Sequence, residues 1–133
     1  MNDRYLYRAK HVHAFDANKK HDGWVYGYLS CENYIYSPEL EEEKLIDPNT
    51  ICQCTGLKDK NGKLIWENDI VRYTDGITGK QKTDRIIWNQ HYAGFARMHK
   101  SKMGLQYLYI NGSMAIDFEV IGNAIDNPKL LEV

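Results

Sequence analysis

Hydrophobic and polar residues alternate with a two-residue period along several short stretches of this chain. Residues 21–30 show the pattern clearly, because Trp24, Tyr26 and Tyr28 alternate with smaller or aliphatic side chains. A period of two is typical of β-strands, in which successive side chains point to opposite faces. Similar segments predict further strands at residues 5–15, 33–37, 57–60, 63–66, 70–73, 84–89, 92–98 and 118–126. Turn signals between these segments recur about every 8–12 residues, which favours a sandwich or small barrel of all-β class.

Two Asn-Gly pairs lie between apolar segments and predict hairpins. The pair Asn61-Gly62 has the residue types that a type I′ turn requires at its two positive-φ positions. A second pair, Asn111-Gly112, follows the apolar run that ends at Ile110. We therefore predict a tight hairpin turn at each pair.

Other polar residues and glycines occupy places where the backbone makes special demands. Asn68 follows a strand and belongs to a residue type that tolerates the left-handed conformation. Gly122-Asn123 interrupts a strand and predicts a bulge. We interpret eight residues as turn and scaffold positions with no reactive role: Gly56, Asp59, Asn61, Gly62, Asn68, Asp69, Gly122 and Asn123.

Short helical turns are predicted at two places. Ser37 suits a helix cap, Pro38 suits the first helical position, and acidic residues follow them, so one or two helical turns are expected within 37–47. They would end at Asp47, because the residue before a proline is disfavoured in the helical region. At the end of the chain, residues 128–133 predict a single terminal turn that folds back onto the body.

Composition and the cysteine number indicate in which cellular compartment the protein is expected. The chain has 133 residues, of which 43% are hydrophobic and 26% charged, as in ordinary globular domains. No apolar run approaches the roughly 20 residues of a membrane-spanning helix, and residues 1–10 do not resemble a signal peptide. Three cysteines do not suit a secreted disulfide framework. We therefore expect a cytoplasmic protein with no membrane partner.

The candidates for chemistry each have a plainer interpretation. Cys52-x-Cys54 together with His11-x-His13 could supply four zinc ligands. Strand periodicity alone, however, places both thiols on one face, and free cysteines are commonly buried. A thiol nucleophile lacks a flanking motif, and the glutamate run from residue 39 is typical of a solvated face. We accordingly predict no catalytic residue, no cofactor and no metal site.

Charge is segregated along the chain although the formal net charge is only −1. Residues 38–47 hold five acidic residues and one lysine, a balance of −4, whereas residues 78–102 hold six basic residues and one aspartate, a balance of +5. Opposite patches favour self-association. The basic segment also carries Trp88, Tyr92 and Phe95, so it could instead form a stacking groove for single-stranded nucleic acid. Its candidate surface comprises Lys80, Lys82, Arg85, Arg97 and Lys100.

Residues 46–71, IDPNTICQCTGLKDKNGKLIWENDIV, resemble the signature block of the YopX family of bacteriophage and prophage proteins. The segment 119–132 is similar to that family's ending, and the front of the chain is similar more loosely. The cysteines at 52 and 54, Asn68 in place of a glycine, and acidic residues 39–45 depart from the family pattern. The resemblance implies an N-terminal β subdomain over 1–54, with an acidic insertion at 37–47, and a C-terminal SH3-like barrel over 55–133.

These observations lead to one expected function and two alternatives. We expect a phage or prophage accessory protein that is non-enzymatic, forms homo-oligomers and binds a phage or host protein. The first alternative is a nucleic-acid-binding barrel, although a net charge of −1 is unfavourable for it. The second is a thiol or zinc-dependent enzyme.

Overall fold

The computed structural model describes residues 3–12 and 20–131. The chain divides into two compact units, Met1–Cys54 and Thr55–Val133. Strands dominate the described residues and pair antiparallel in two sheets, which confirms the all-β class. The strands that begin in the first unit are β1 (Tyr7–Lys10), β2 (Trp24–Cys31), β3 (Tyr34–Ser37), β4 (Glu42–Leu45) and β5 (Cys52–Lys58). Short 3₁₀ turns lie at Asp3–Tyr5 and Pro48–Thr50, and Lys20–Gly23 is a turn in which His21 and Asp22 have left-handed backbone angles.

The first unit is a sheet with the strand order β4-β3-β2-β1-β5. Hairpins join β2 to β3 and β3 to β4, while β1 pairs with both β2 and β5. One side of this sheet carries a core of four buried residues, because small and β-branched side chains pack well on a pleated surface. That core consists of Ala9, Val25, Ile35 and Ile46.

The acidic segment forms a strand, so the prediction of helical turns within 37–47 is wrong. The Ser37 side chain does bind a backbone amide, because its Oγ accepts the N–H of Leu40 at 3.2 Å, but the segment it closes is a turn and not a helix. Glu41 then takes a positive φ of 55°, which reverses the chain. Strand β4 pairs with β3 from Ser37 opposite Glu42 to Tyr34 opposite Leu45. Pairing with β3 therefore overrides the local helix signals.

Gly27 on β2 has no room for a side chain. A Cβ atom built at this position would lie 1.9 Å from the carbonyl oxygen of Tyr36 on β3. The Gly27→Ala variant should therefore lose about 2–3 kcal/mol of unfolding free energy, because β2 and β3 would have to separate. Urea unfolding followed by fluorescence measures this loss. The matched variant Gly76→Ala meets no atom within 4 Å and should unfold close to wild type, and equal midpoints for both variants would contradict the packing argument.

In the second unit the later half of β5 is followed by β6 (Leu64–Trp66). A five-stranded sheet then has the order β10-β9-β8-β7-β11. Its strands are β7 (Asp69–Thr74), β8 (Gln81–Asn89), β9 (Gly94–Ser101), β10 (Gly104–Tyr109) and β11 (Glu119–Asn123). A short helix α1 (Gly112–Ala115) precedes β11, and the 3₁₀ turn Pro128–Leu131 gives the predicted terminal turn. The described strands leave this sheet open, with β10 and β11 at its edges, so the predicted SH3-like barrel is not confirmed.

The two faces of the five-stranded sheet follow from its register. Asp84 and Ile86 on β8 point to the core face, and Ile86 belongs to the buried cluster of this unit. On β9, Arg97 lies opposite Ile86, so it shares the core face. Met98 lies opposite Arg85 and points to the other side, which we call the outer face. The core cluster comprises Ile65, Val71, Ile86, Ala115 and Phe118.

The hairpin predicted at Asn61-Gly62 is confirmed, because β5 and β6 are paired and the Asp59 N–H donates to the Lys63 carbonyl at 2.8 Å, but its predicted turn type is wrong. The hairpin predicted at Asn111-Gly112 does not form. At the first pair only Gly62 has a positive φ, of 78°, so the turn is not type I′. The Asp59 side chain holds this turn, because its Oδ1 accepts two backbone N–H groups. At the second pair Asn111 is extended and caps helix α1, with its Oδ1 accepting the N–H of Met114 at 3.0 Å. An asparagine before a glycine is suited to either role.

The other special positions have the backbone expected of them. Asn68 has a φ of 72°, the left-handed conformation predicted for its turn. Its backbone N–H donates to the carbonyl of Ile86 at 2.7 Å. The pairing of β11 with β7 shifts register between Val120 and Gly122, so a bulge forms one residue before the predicted Gly122-Asn123. Gly56 has a φ of 80° within β5.

Candidate functional site

Cys52 and Cys54 are both fully buried, and the Cys52 thiol donates to the Thr50 carbonyl at 3.3 Å. Of the two histidines in the hypothetical zinc set, His13 lies outside the described residues. Within residues 3–12 and 20–131, no group of three or more histidine, cysteine or acidic side chains is placed to hold a metal.

The two aspartates interpreted as turn residues are buried acceptors of backbone N–H groups. Asp69 accepts from Trp66 at 2.8 Å. Asp59 is 4% exposed, and its carboxylate accepts N–H groups from three other residues: Asn61 at 2.9 Å, Lys63 at 2.9 Å and Val120 at 3.0 Å. Burial by itself raises the pKa of Asp59, but these hydrogen bonds outweigh it and the pKa is lowered. Asp59 thus joins a turn to a strand that is distant in sequence.

The five basic residues predicted as one surface are divided between the two faces of the sheet. Arg85 lies on the outer face and donates twice to Asn68 Oδ1, at 3.2 and 2.7 Å. Lys82 lies on the same face of β8 as Asp84, the core face, and forms an ion pair with Asp75 at 2.7 Å. Arg97 lies on the core face, whereas Lys80 in the β7–β8 turn and Lys100 on β9 are exposed. Three of the five are therefore engaged within the unit.

A buried charge cluster occupies the core face. Asp84 is 0% exposed, and its Oδ1 is 2.7 Å from Nδ1 of His99, directly across on β9. Its Oδ2 lies 3.9 Å from Nη1 of Arg97, and no donor completes a well-formed hydrogen bond to it. The Arg97 guanidinium stacks over the rings of Tyr73 and Phe118, at 4.9 and 5.6 Å from their centroids.

This cluster has the character of a packing element. Burial raises the pKa of Tyr73, and the negative charge of Asp84 raises it further. An Asp–His pair can orient a general base, and covalent catalysis would additionally require a nucleophilic side chain beside the histidine. Asp84 is next to the Arg97 guanidinium, which stacks over Tyr73 and Phe118, and the Tyr73 side chain is also hydrogen bonded to Asp84. These contacts connect β7, β8 and β9. Sequence reasoning missed the pair, although an aspartate before the apolar run Ile86-Ile87-Trp88 signals it.

Strand β10 is an exposed edge of the five-stranded sheet. All six of its residues are exposed, and it pairs with β9 on one side only among the described strands. Its large side chains are 42% to 63% exposed: Leu105, Tyr107, Leu108 and Tyr109. No charged residue occurs between Lys102 and Asp117. Edge strands usually carry charges, prolines or bulges that block pairing with another chain, and the pairing register of β10 has no irregularity.

The outer face beside β10 is mixed in character, with apolar and basic side chains. Leu105 lies opposite Lys100, so it shares the outer face with Met98 and Lys100. A cavity of about 440 Å³ opens on this side of the unit, and Leu130 and Leu131 of the terminal turn contribute to its lining together with Met98 and Leu105. Sequence reasoning missed this surface because it interpreted the apolar run of β10 as half of a hairpin.

Open antiparallel sheets, a charge cluster around the buried Asp84 and an exposed, uncharged edge strand characterise this β protein among the described residues. A family model described as YopX protein matches residues 6–132, and the chain belongs to this family. The comparison with curated proteins gave no match. No helix within the described residues has the length and apolar character needed to cross a bilayer.

Proposed function

We propose that this protein is a non-enzymatic phage or prophage accessory protein, a β module that self-associates and binds protein partners through the edge of β10. The observation that carries the proposal is that all six residues of this uncharged strand are exposed, although four of them have large hydrophobic side chains. An SH3-like arrangement of residues 55–133 belongs to the proposal, supported by the consecutive antiparallel strands β7 to β10 and the return of β11 to β7. A cytoplasmic setting belongs to it as well.

Backbone chemistry favours another strand as the occupant of this edge. The edge of β10 that does not pair with β9 presents backbone N–H and C=O groups. A further strand can form hydrogen bonds to these groups, and strand addition of this kind is a recurring mode of protein recognition. A second copy of the chain supplies a strand of the same uncharged composition. Two-fold symmetry then requires the two β10 strands to run antiparallel.

Symmetry also limits the register. A two-fold axis normal to the sheet keeps each face on its own side, so residues directly opposite each other must share a face. We propose the register centred on Tyr107, which meets this condition: Tyr107 lies opposite the partner's Tyr107, and Leu105 lies opposite the partner's Tyr109. Aromatic and aliphatic pairs directly across a sheet each stabilise it by roughly 0.2–1 kcal/mol. This register uses the apolar residues of the whole strand.

The test is light scattering on the wild type and on Tyr107→Lys. The variant places two lysines directly opposite each other at the symmetry axis and removes an aromatic pair, so the dimer should weaken about tenfold or more. Ile116→Lys is the matched control, because Ile116 is 63% exposed in the same unit and lies outside the strands. A wild type that is monomeric at all concentrations, or a Tyr107→Lys variant that dimerises as the wild type does, would rule out the proposal.

Salt distinguishes this interface from association through charge patches. The β10 edge is uncharged, so the dimer should persist as ionic strength rises, whereas association of the acidic and basic segments would weaken. Nucleic-acid binding has less support, because Lys82, Arg85 and Arg97 are engaged within the unit. The thiol or zinc enzyme has no supporting arrangement among the described residues.

A further inference from the structure

Two turns at one end of the five-stranded sheet each present an almost fully exposed apolar side chain. Ile77, in the β7–β8 turn, is 96% exposed, and Met103, in the β9–β10 turn, is 94% exposed. Both turns lie at the same end because β7 and β9 run toward it while β8 and β10 leave it. The two hairpins are neighbours in the sheet, so their midlines are two strand spacings apart, about 10 Å.

The two turns are built alike, because in each a side-chain oxygen accepts the backbone N–H of the exposed apolar residue. The Asp75 side chain accepts the N–H of Ile77 at 2.9 Å, and the backbone N–H of Asp75 donates to Lys80 at 2.8 Å. In the other turn, Ser101 Oγ accepts the N–H of Met103 at 3.2 Å. In both cases an acceptor side chain binds the amide two positions ahead, so the hydrophobic side chains project from closed turns.

The segments that carry these two side chains are rich in lysine. We call residues 75–82 and 100–105 the basic tip. It contains four lysines and one acidic residue, Asp75, which gives a formal balance of +3. The aspartate is already paired with Lys82, at 2.7 Å. The other three lysines, all in exposed positions, are Lys80, Lys100 and Lys102.

We propose that the basic tip docks on the surface of an anionic lipid bilayer. Ile77 and Met103 enter the interfacial layer, and the lysines bind the anionic headgroups. Each lysine near such a surface should strengthen binding roughly fivefold. This contact is peripheral, and it differs from the sequence-based expectation of no membrane partner. It is independent of the function proposed for β10.

Three features favour a bilayer over other anionic partners. The apolar side chains protrude from convex turns, whereas a protein partner would need two separate pockets at a matching distance. A fluid interface accommodates protruding side chains at any spacing. Single-stranded nucleic acid is held by aromatic stacking, and the exposed tip residues here are Ile77 and Met103, neither of which is aromatic.

Vesicle sedimentation tests the proposal. The full chain should bind vesicles of phosphatidylcholine with about 30% phosphatidylserine, and binding should fall as salt rises. The double variant Ile77→Ser, Met103→Ser should weaken binding at least tenfold, because two side chains no longer enter the interface. Its thermal unfolding should match the wild type, since both residues are exposed. The control Ile116→Ser should bind as the wild type does.

The lysine variants give a second measurement. Lys80→Gln with Lys102→Gln should weaken binding to the anionic vesicles about 25-fold and should leave the fold unchanged. No binding to anionic vesicles, equal binding to pure phosphatidylcholine, or an equal loss in the Ile116→Ser control would each overturn the proposal. Salt-sensitive binding to a single-stranded oligonucleotide, with no response of vesicle binding to the serine pair, would assign the tip to nucleic acid instead.

Discussion

Asp84→Asn should lower the free energy of unfolding by about 3–5 kcal/mol. Asparagine keeps an oxygen that can accept from His99 but removes the negative charge beside Arg97. Arg97 is held over the rings of Tyr73 and Phe118 and would remain as a largely buried cation, with its side chain 16% exposed, without its counter-charge. Urea unfolding at neutral pH measures the loss.

A second substitution separates the charge effect from simple loss of packing. In the double variant Asp84→Asn, Arg97→Met the unpaired cation is absent, so much of the lost stability should return. Methionine keeps an unbranched apolar side chain against the same rings. If the two substitutions together destabilise by the full sum of their separate effects, Asp84 and Arg97 do not interact and the account of the cluster is wrong.

Asp59→Asn should have the second-largest effect, a loss of about 2–4 kcal/mol near pH 7. The Asp59 carboxylate accepts N–H groups from Asn61, Lys63 and Val120, and hydrogen bonds to a charged acceptor are stronger than those to an amide oxygen. The asparagine side chain offers one oxygen, and its amide group would face a backbone donor. Asp117→Asn, at an exposed position of the same unit, is the matched control and should leave stability unchanged.

The Asp59 effect should depend on pH in a defined direction. The folded-state pKa of Asp59 is lowered from its ordinary value of 3.8. The stabilisation is therefore fully present above that value and disappears as the pH falls through the lower folded-state pKa. The difference in unfolding free energy between the wild type and Asp59→Asn should narrow below about pH 4. A difference that stays constant from pH 7 to acid would show that the carboxylate charge is not what stabilises the turn.

The strands were predictable because their signal is local. A two-residue period reports a half-buried strand wherever it occurs, and the segments around Trp24, Ile65 and Ile86 all fold as the pattern indicates. The left-handed Asn68 and the bulge before Gly122 were also predictable, because few residue types tolerate those conformations.

The failed predictions concern segments whose local signals suit two structures. Asn111 can begin a hairpin turn or cap a helix, and the outcome depends on packing, because Ala115 of the helix enters the core. The acidic segment carries helix-start residues, yet Glu42–Leu45 pairs with β3. In each case contacts distant in sequence override the local preference.

The exposed edge of β10 depends on the order of the strands in the sheet, and local residue patterns do not specify that order. β10 lies at an edge because β11 pairs with β7 at the opposite side of the sheet. The basic tip likewise exists because two hairpins close at one end, although Ile77 and Met103 lie in separate parts of the chain. The sequence did contain a usable signal for β10, the absence of charge from 103 to 116.

The antiparallel direction of a β10 pair has a geometric consequence for the assembly. Rotation by two-fold symmetry about the sheet normal sends the β9–β10 turn of each copy to opposite ends of the joined sheet. A dimer formed in this way is a bivalent tether, with one Met103 at each extremity. It would aggregate anionic vesicles and raise the turbidity of the suspension, whereas Tyr107→Lys would coat single vesicles and leave the suspension clear.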